Sequence, residues 1–408
     1  MKRPIYMDCH STTPLDPRVW EAMTPVFLNH FGNPSQHLHQ YSWEASALIE
    51  KAKRDLAICI GSDPEISDRE IIFTSGATEA NHLAILGLAP TLKSSGRIRI
   101  LSLKIEHASV LGPLQMLSEQ GFQIQWIPLL ADGRVNLSSL KLLIEDSSLP
   151  PVGLITVALA NHEVGTIQDL ESIGNLCRKG DRIFLHTDAV QAIGRIPVDV
   201  KKMNIDLMTI SAHKTHGPKG VGAVYACRKN PRIELKSIQR GGTQEHHVRP
   251  GTPNVPLIVG MATAIQIATD EMDTHQPQVQ FLRDRLWQGL QKNITGMIRN
   301  GSTTETLPNN LNVSIPGVDG TGLLGAIKNT AVSNASACLN GIQDYSQVLT
   351  ELGVSKSLAK ASIRFGLSRL NTIEEVNAVI EEVSSVVAQL RKLEQNFFKG
   401  KEHDSINR

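Results

Sequence analysis

Between about residue 70 and residue 227, short apolar runs alternate with amphipathic stretches. That alternation constrains the fold more than any other feature of the 408-residue chain. The strand candidates are Glu70–Thr74, Arg97–Leu103, Gln123–Ile127, Val152–Ala160, Arg182–Thr187, Asp206–Ile210 and Val221–Ala226. Between most of them lie segments such as Ala108–Gln120 and Leu170–Lys179, with apolar residues at helical spacing. The pattern predicts an α/β fold, a seven-stranded and mostly parallel sheet with helices on both faces. The last run follows Gly217-Pro218-Lys219-Gly220 closely and is expected to run antiparallel.

Beyond the sheet, a long helical stretch covers roughly Pro256–Asn293, and the rhythm then changes. Strand candidates thin out to Asn310–Ile315 and Ser362–Phe365, and a final helix is predicted over Ile373–Leu393. This reads as a second, smaller α+β domain. The expected division is a large domain over 15–262 and a small one formed by 1–14 with 263–408. The polar tail Phe397–Arg408 is expected to be loose. Forty-one Lys and Arg against 40 Asp and Glu leave no net field to draw in nucleic acid or an acidic membrane surface. No apolar stretch reaches transmembrane length, and no secretory signal or transit peptide is evident, so the cytoplasm is the expected location. The five cysteines are odd in number, scattered and without a CxxC pair. They argue for a reducing compartment and against a disulfide framework or a metal site.

In open α/β sheets, ligands bind beyond the carboxyl ends of the strands, and here those ends carry an unusual set of side chains. Lys214 follows the run Asp206–Ile210, and Asp188, 26 residues upstream, ends another. A desolvated lysine suits Schiff-base formation. A carboxylate nearby can keep a pyridine nitrogen protonated, so the pair suggests pyridoxal phosphate. Thr74–Asn81 opens a helix with small residues, where the backbone amides of Ala77 and Thr78 and the Thr78 hydroxyl can hold a phosphate dianion. His107 could lie flat on an aromatic ring or shuttle a proton, and Asn161 and Gln191 could hydrogen-bond a phenolic oxygen. Ser211 and His213 add phosphate donors. Singly, each residue has a plainer explanation: a snorkelling lysine, a helix cap, a core histidine. Five strand ends converging on one ligand favour the cofactor.

Taken with their order and spacing, these stretches resemble the fold-type I pyridoxal phosphate enzymes of the class V aminotransferase group. More narrowly, they resemble the cysteine desulfurases of the NifS/IscS type. The stretches that carry the resemblance run from Asp8–Pro17 and Phe31-Gly32-Asn33-Pro34-Ser35 through Phe73–Glu79, Glu106-His107 and Asn161–Gly165. They continue through His186–Gln191, Ser211–Lys214, Arg249–Thr252, Ser336-Ala337-Cys338 and Ser362–Phe365. The resemblance implies that Lys214 is the Schiff-base lysine, Asp188 the partner of the pyridine nitrogen and His107 the stacking residue. It implies that Thr78, Ser211 and His213 hold the phosphate, and that Thr252 reaches it from the other subunit of an obligate homodimer. Arg364 would grip the substrate carboxylate, with Asn33 a second contact.

Cys338 selects the reaction that the resemblance implies. It lies in Ala331–Asp344, a stretch of small and polar residues that suits a thiol carrying sulfur elsewhere. Lys214 would remove the Cα proton of L-cysteine, and the Cys338 thiolate would take the substrate sulfur as a persulfide while alanine leaves. In this family the acceptors are iron–sulfur scaffold proteins and tRNA-thiolation enzymes. The long cysteine loop favours the NifS/IscS group over the SufS-like one. Cys59, Cys177 and Cys227 fit packing roles, while Cys9 lies near the expected site. Several positions depart from the usual pattern: Ala335 where a Gly is usual, Leu339-Asn340 after the cysteine, Gly241–His246 short of one Gly and one Arg, and His162 in place of an Asn. The rivals are a selenocysteine lyase, a class V aminotransferase and a non-enzymatic assembly subunit. The last would lack Lys214, Asp188 or Cys338, and all three are present.

Overall fold

The computed structural model describes residues 3–36, 38–179, 183–229, 232–334 and 345–406, with side chains described as far as residue 394. Cys338, Ala335 and Leu339 lie outside the described residues.

All seven strand candidates of the first segment join one sheet. Across it the order is Ile71–Thr74, Gly222–Ala226, Leu207–Ser211, Phe184–Asp188, Val152–Thr156, Arg99–Ser102 and Gln123–Trp126. Gly222–Ala226 runs antiparallel to both neighbours, as the short connection before it requires, and the other pairings are parallel. Alternate side chains enter two separate cores. Ile71, Phe73, Leu101, Ile155, Met208 and Tyr225 face one, and Ile72, Ile100, Leu154, Leu207 and Val224 face the other. A sheet covered on both faces needs apolar residues at consecutive positions, which is why its strands read as unbroken apolar runs. The Ala77–Ser94 helix covers the second core through Leu83, Leu88 and Leu92, and the Leu170–Cys177 helix packs on the first.

A third cluster unites Met7 with Leu286 and Leu290, Leu311 and Val313, Phe365, and Val379 and Val383. It covers an antiparallel sheet ordered Ser362–Gly366, Asn310–Ser314, Ile298–Arg299, in which Asn312 pairs with Arg364. Ile5–Tyr6 runs parallel to Thr330–Ala331, so the first residues and the segment leading to the cysteine stretch share one ladder.

Two expectations change. The long helix is two, Val255–Asp270 and Met272–Asn293, broken at Glu271 where φ and ψ leave helical values (−94°, 5°). The Glu271 carboxylate there receives Arg18 and sits beside His275. The last helix runs Ile373–Ile406, so the tail expected to be loose is helical through residue 406. Helices at Pro17–Leu28 and Gln40–Cys59 precede the sheet, in a region for which the sequence pattern predicted no elements.

Candidate active site

A cavity of about 590 Å³ opens at the carboxyl ends of the parallel strands. Among its lining residues are Ala77, Thr78, His107, Asp188, Gln191, Ser211, His213, Lys214 and Arg364. The sheet register brings them together: Asp188 ends one strand, Ser211 ends its neighbour, and Lys214 sits in the turn that follows. That turn is held by the half-buried Arg195, which donates through Nη2 to the Lys214 carbonyl at 2.7 Å.

At one end of the cavity the donors for an anion are present. Gly76 precedes the Ala77–Ser94 helix with φ 156° and no side-chain cap, leaving the first amides of an 18-residue helix open toward the cavity. Ser211 is 1% exposed, and its hydroxyl has no partner among the described residues. Burial, then the charge of Lys214, pushes His213 down to about 4, so it is neutral near pH 7 and offers a hydrogen bond rather than a charge. At the other end, Asp188 is 9% exposed; its Oδ1 accepts from Val190 N at 2.9 Å and its Oδ2 from Asn81 Nδ2 at 2.8 Å.

Arg364, 4% exposed, lies on the opposite wall. Its Nη1 donates to the His162 carbonyl at 2.9 Å, and its Nη2 to Asp8, Ser11 and Ser333 at 3.1, 2.9 and 2.8 Å. Its Nε has no partner among the described residues. A guanidinium held on three sides, with a donor left over, is suited to a carboxylate.

Asn161 and Asn33 stand outside the cavity lining, as does Thr252, which was expected to serve the other subunit. Asn161 does not line the cavity: its Oδ1 accepts from Glu163 N and Val164 N, and its Nδ2 donates to the Ile105 carbonyl, so the side chain braces a turn. Asn33 is exposed, with Oδ1 taken by Ser35 N. Thr252 lines a neighbouring cavity that shares Ser75 and Gly220 with the first. Gln191 does reach the cavity, but its Nε2 donates to the His10 carbonyl and its Oε1 accepts from Arg195 and meets His10 Nδ1.

Several further residues line the cavity or lie buried beside it. His10 is buried between Gln191 and Asn310. The Asn310 amide nitrogen approaches Nε2 at 3.0 Å, so the His10 proton sits on Nδ1 and points at Gln191. His162 meets the His107 ring edge-on at 5.2 Å, and burial holds both below the usual imidazole range. Burial raises Glu106 to about 8 against the Ala158 N–H it accepts from, and raises Glu163 to about 7 although Ser346 bonds it. Both glutamates and His10 lay inside quoted motifs, and only their burial marks them out. Of the cysteines expected to pack, burial lifts Cys59 to about 11 and Cys177 to about 12, which disfavours their thiolates. Cys9 is likewise raised to about 11.

Comparison with known proteins places this geometry. The aminotransferase class-V family matches residues 5–379. The mitochondrial cysteine desulfurase of Drosophila melanogaster is 42% identical over 391 residues, covering 96% of this chain and 82% of that one. The cysteine desulfurase IscS of Rickettsia africae is 41% identical over 390 residues, covering 96% and 92%. A solved NifS-like protein superposes with a TM-score of 0.86 at 34% identity, covering 95% of this chain and all of that one.

Proposed function

Since the chain belongs to the aminotransferase class-V family and stands among its cysteine desulfurases, we propose that it takes the sulfur of L-cysteine onto Cys338 and releases L-alanine. The observation that carries this reading is the convergence of Lys214, Asp188, His107 and Arg364 on one cavity beside open phosphate donors.

The cavity fits pyridoxal phosphate on its own chemistry: an orphaned Ser211 hydroxyl and uncapped amides at Ala77 and Thr78 for the phosphate, a buried carboxylate for the ring nitrogen, and an amine between them. When bound, that cofactor supplies an electron sink for the charge left as a Cα proton departs. Lys214 holds the cofactor and moves the Cα proton through Nζ. Asp188, oriented by Val190 N and Asn81, keeps negative charge at the ring-nitrogen end. Arg364 binds the substrate carboxylate and so fixes which face of Cα meets Lys214. The Cys338 thiolate forms its bond to the substrate sulfur as the bond from that sulfur to Cβ breaks. The resulting persulfide is passed to an acceptor protein of iron–sulfur assembly or tRNA thiolation.

A homodimer completes the site. Trp20, Phe31 and Trp43, on or beside the first two helices, are 55%, 69% and 56% exposed, an apolar face expected to meet another subunit. The Gly241–Thr252 segment adjoins that face, where Gln244 reaches Ser35, and Thr252 would serve the partner's phosphate site. A reducing compartment such as the cytoplasm suits Cys9, Cys59, Cys177 and Cys227, all free thiols. No helix among the described residues is long and apolar enough to cross a membrane.

The test is to supply purified protein with L-cysteine and follow alanine and sulfide, then repeat with Cys338→Ala. Alanine formation at the parent rate by that variant would remove Cys338 from the mechanism. Transamination without sulfide release would point to an aminotransferase instead.

A further inference from the structure

One buried polar chain beside the cavity links Asp188 to His107 through Asn81 and Ser109. Asn81 is fully buried, and its Nδ2 lies 2.8 Å from Asp188 Oδ2 and 2.8 Å from Ser109 Oγ. A carboxylate only accepts, so the amide orientation is fixed and each neighbour receives one N–H. Ser109 Oγ therefore accepts from Asn81 and has its single hydrogen left to give. His107 Nδ1 stands 2.8 Å from that oxygen, and the backbone N–H of Ser109 donates to the same Nδ1 at 3.1 Å. With two donors converging on Nδ1, the proton of the neutral ring belongs on Nε2.

We propose that Asn81 and Ser109 are positioning residues that lock His107 as its Nε2–H tautomer and tie its orientation to that of Asp188. His107 then presents an N–H donor to whatever occupies the cavity, not a lone pair. A neutral imidazole N–H is a weak acid and no base, so removal of the Cα proton falls to Lys214. Protonating Nδ1 would break the contact from the Ser109 N–H and force the Ser109 hydroxyl to turn its hydrogen away, which opposes formation of the imidazolium. Asp188, Lys214 and the edge of His162 are the other titratable groups facing the ring. Of these Asp188 favours the imidazolium and Lys214 disfavours it, while burial disfavours it most. The inference rests on His107 belonging to the reaction site, and it specifies which proton that residue carries there.

The experiment is nitrogen NMR of the full-length protein labelled with 15N-histidine, as purified and without L-cysteine. The His107 signals are identified by their loss in His107→Asn. The expected result is a protonated Nε2 and a bare Nδ1 in the parent protein. Ser109→Ala keeps the backbone donor but loses the hydroxyl. It should raise the proportion of the Nδ1–H tautomer about tenfold and move the His107 titration to higher pH. Asn81→Ala should shift both in the same direction by less, and Ser109→Thr should restore the parent pattern. A protonated Nδ1 in the parent protein overturns the proposal whatever the variants do. So does a Ser109→Ala protein that melts like the parent and leaves tautomer and titration unchanged. Because no substrate is present, failure of the desulfurase reading would leave this result standing, and the converse holds.

Discussion

At the scale of single residues, the site divides by the kind of partner each side chain needs. Lys214, Asp188, Thr78, Ser211 and His213 were readable because each follows an apolar run, and a parallel sheet delivers all such ends to one edge. Asn81 and His10 were not, because their meaning comes from partners far along the chain: Asp188 is 107 residues from Asn81, and Asn310 is 300 from His10. Asn161, a polar residue at a strand end, has its Oδ1 taken by its own turn and one Nδ2 hydrogen by the Ile105 carbonyl, neither of which the spacing announces. Arg364 makes a direct prediction. Its fork is fixed by the His162 carbonyl, Asp8, Ser11 and Ser333, and a lysine ammonium cannot reproduce that geometry. Arg364→Lys should raise KM for L-cysteine by about tenfold or more, with a smaller change in kcat, in steady-state assays of alanine formation. A KM within twofold of the parent would mean that the carboxylate binds elsewhere.

At the scale of elements, the approach of the Gly222–Ala226 strand to the start of the Ala77–Ser94 helix sets the shape of the phosphate end. A Cβ on Gly222 would lie 2.7 Å from the carbonyl carbon of Gly76, 2.9 Å from its Cα and 2.8 Å from the Ile210 oxygen, all backbone atoms. Gly222→Ala should therefore cost about 1–3 kcal/mol in denaturant unfolding and displace the helix N-terminus. The purified variant should carry less bound cofactor by absorbance. Normal stability together with normal cofactor content would show that this close approach does not shape the site. The strands were legible because both faces of the sheet are buried, which leaves a continuous apolar signature. The break at Glu271 was not, because the apolar spacing continues across it and its carboxylate partner Arg18 is 253 residues away.

At the scale of the whole molecule, burial of titratable groups around the site predicts how stability follows pH. His186, His213 and His216 are lowered to about 4 by burial first, and His10 and His162 fall well below the usual range for the same first reason. Their unfolded forms take up protons below about 6.5 while the folded forms do not, so stability rises with pH from about 4 to 6.5. Glu106 and Glu163 act oppositely: with folded values of about 8 and 7, their contribution is complete below the unfolded value and is lost as pH climbs through the folded ones. Five histidines outweigh two glutamates on the acid side. The melting temperature should therefore peak near pH 6.5 and decline gently toward pH 8, and Glu106→Gln should flatten that decline. A melting temperature still rising between pH 7 and pH 8 would contradict this assignment. The division into strand ends that hold a cofactor and a distant cysteine that collects sulfur is the central claim, and mass spectrometry tests it most directly. The protein is mixed briefly with L-cysteine, its thiols are alkylated, and the peptides are analysed. One added sulfur atom is expected on the peptide bearing Cys338, and none in Lys214→Ala. An unmodified Cys338 during active turnover, or the added sulfur on Cys9, Cys59, Cys177 or Cys227 instead, would contradict it.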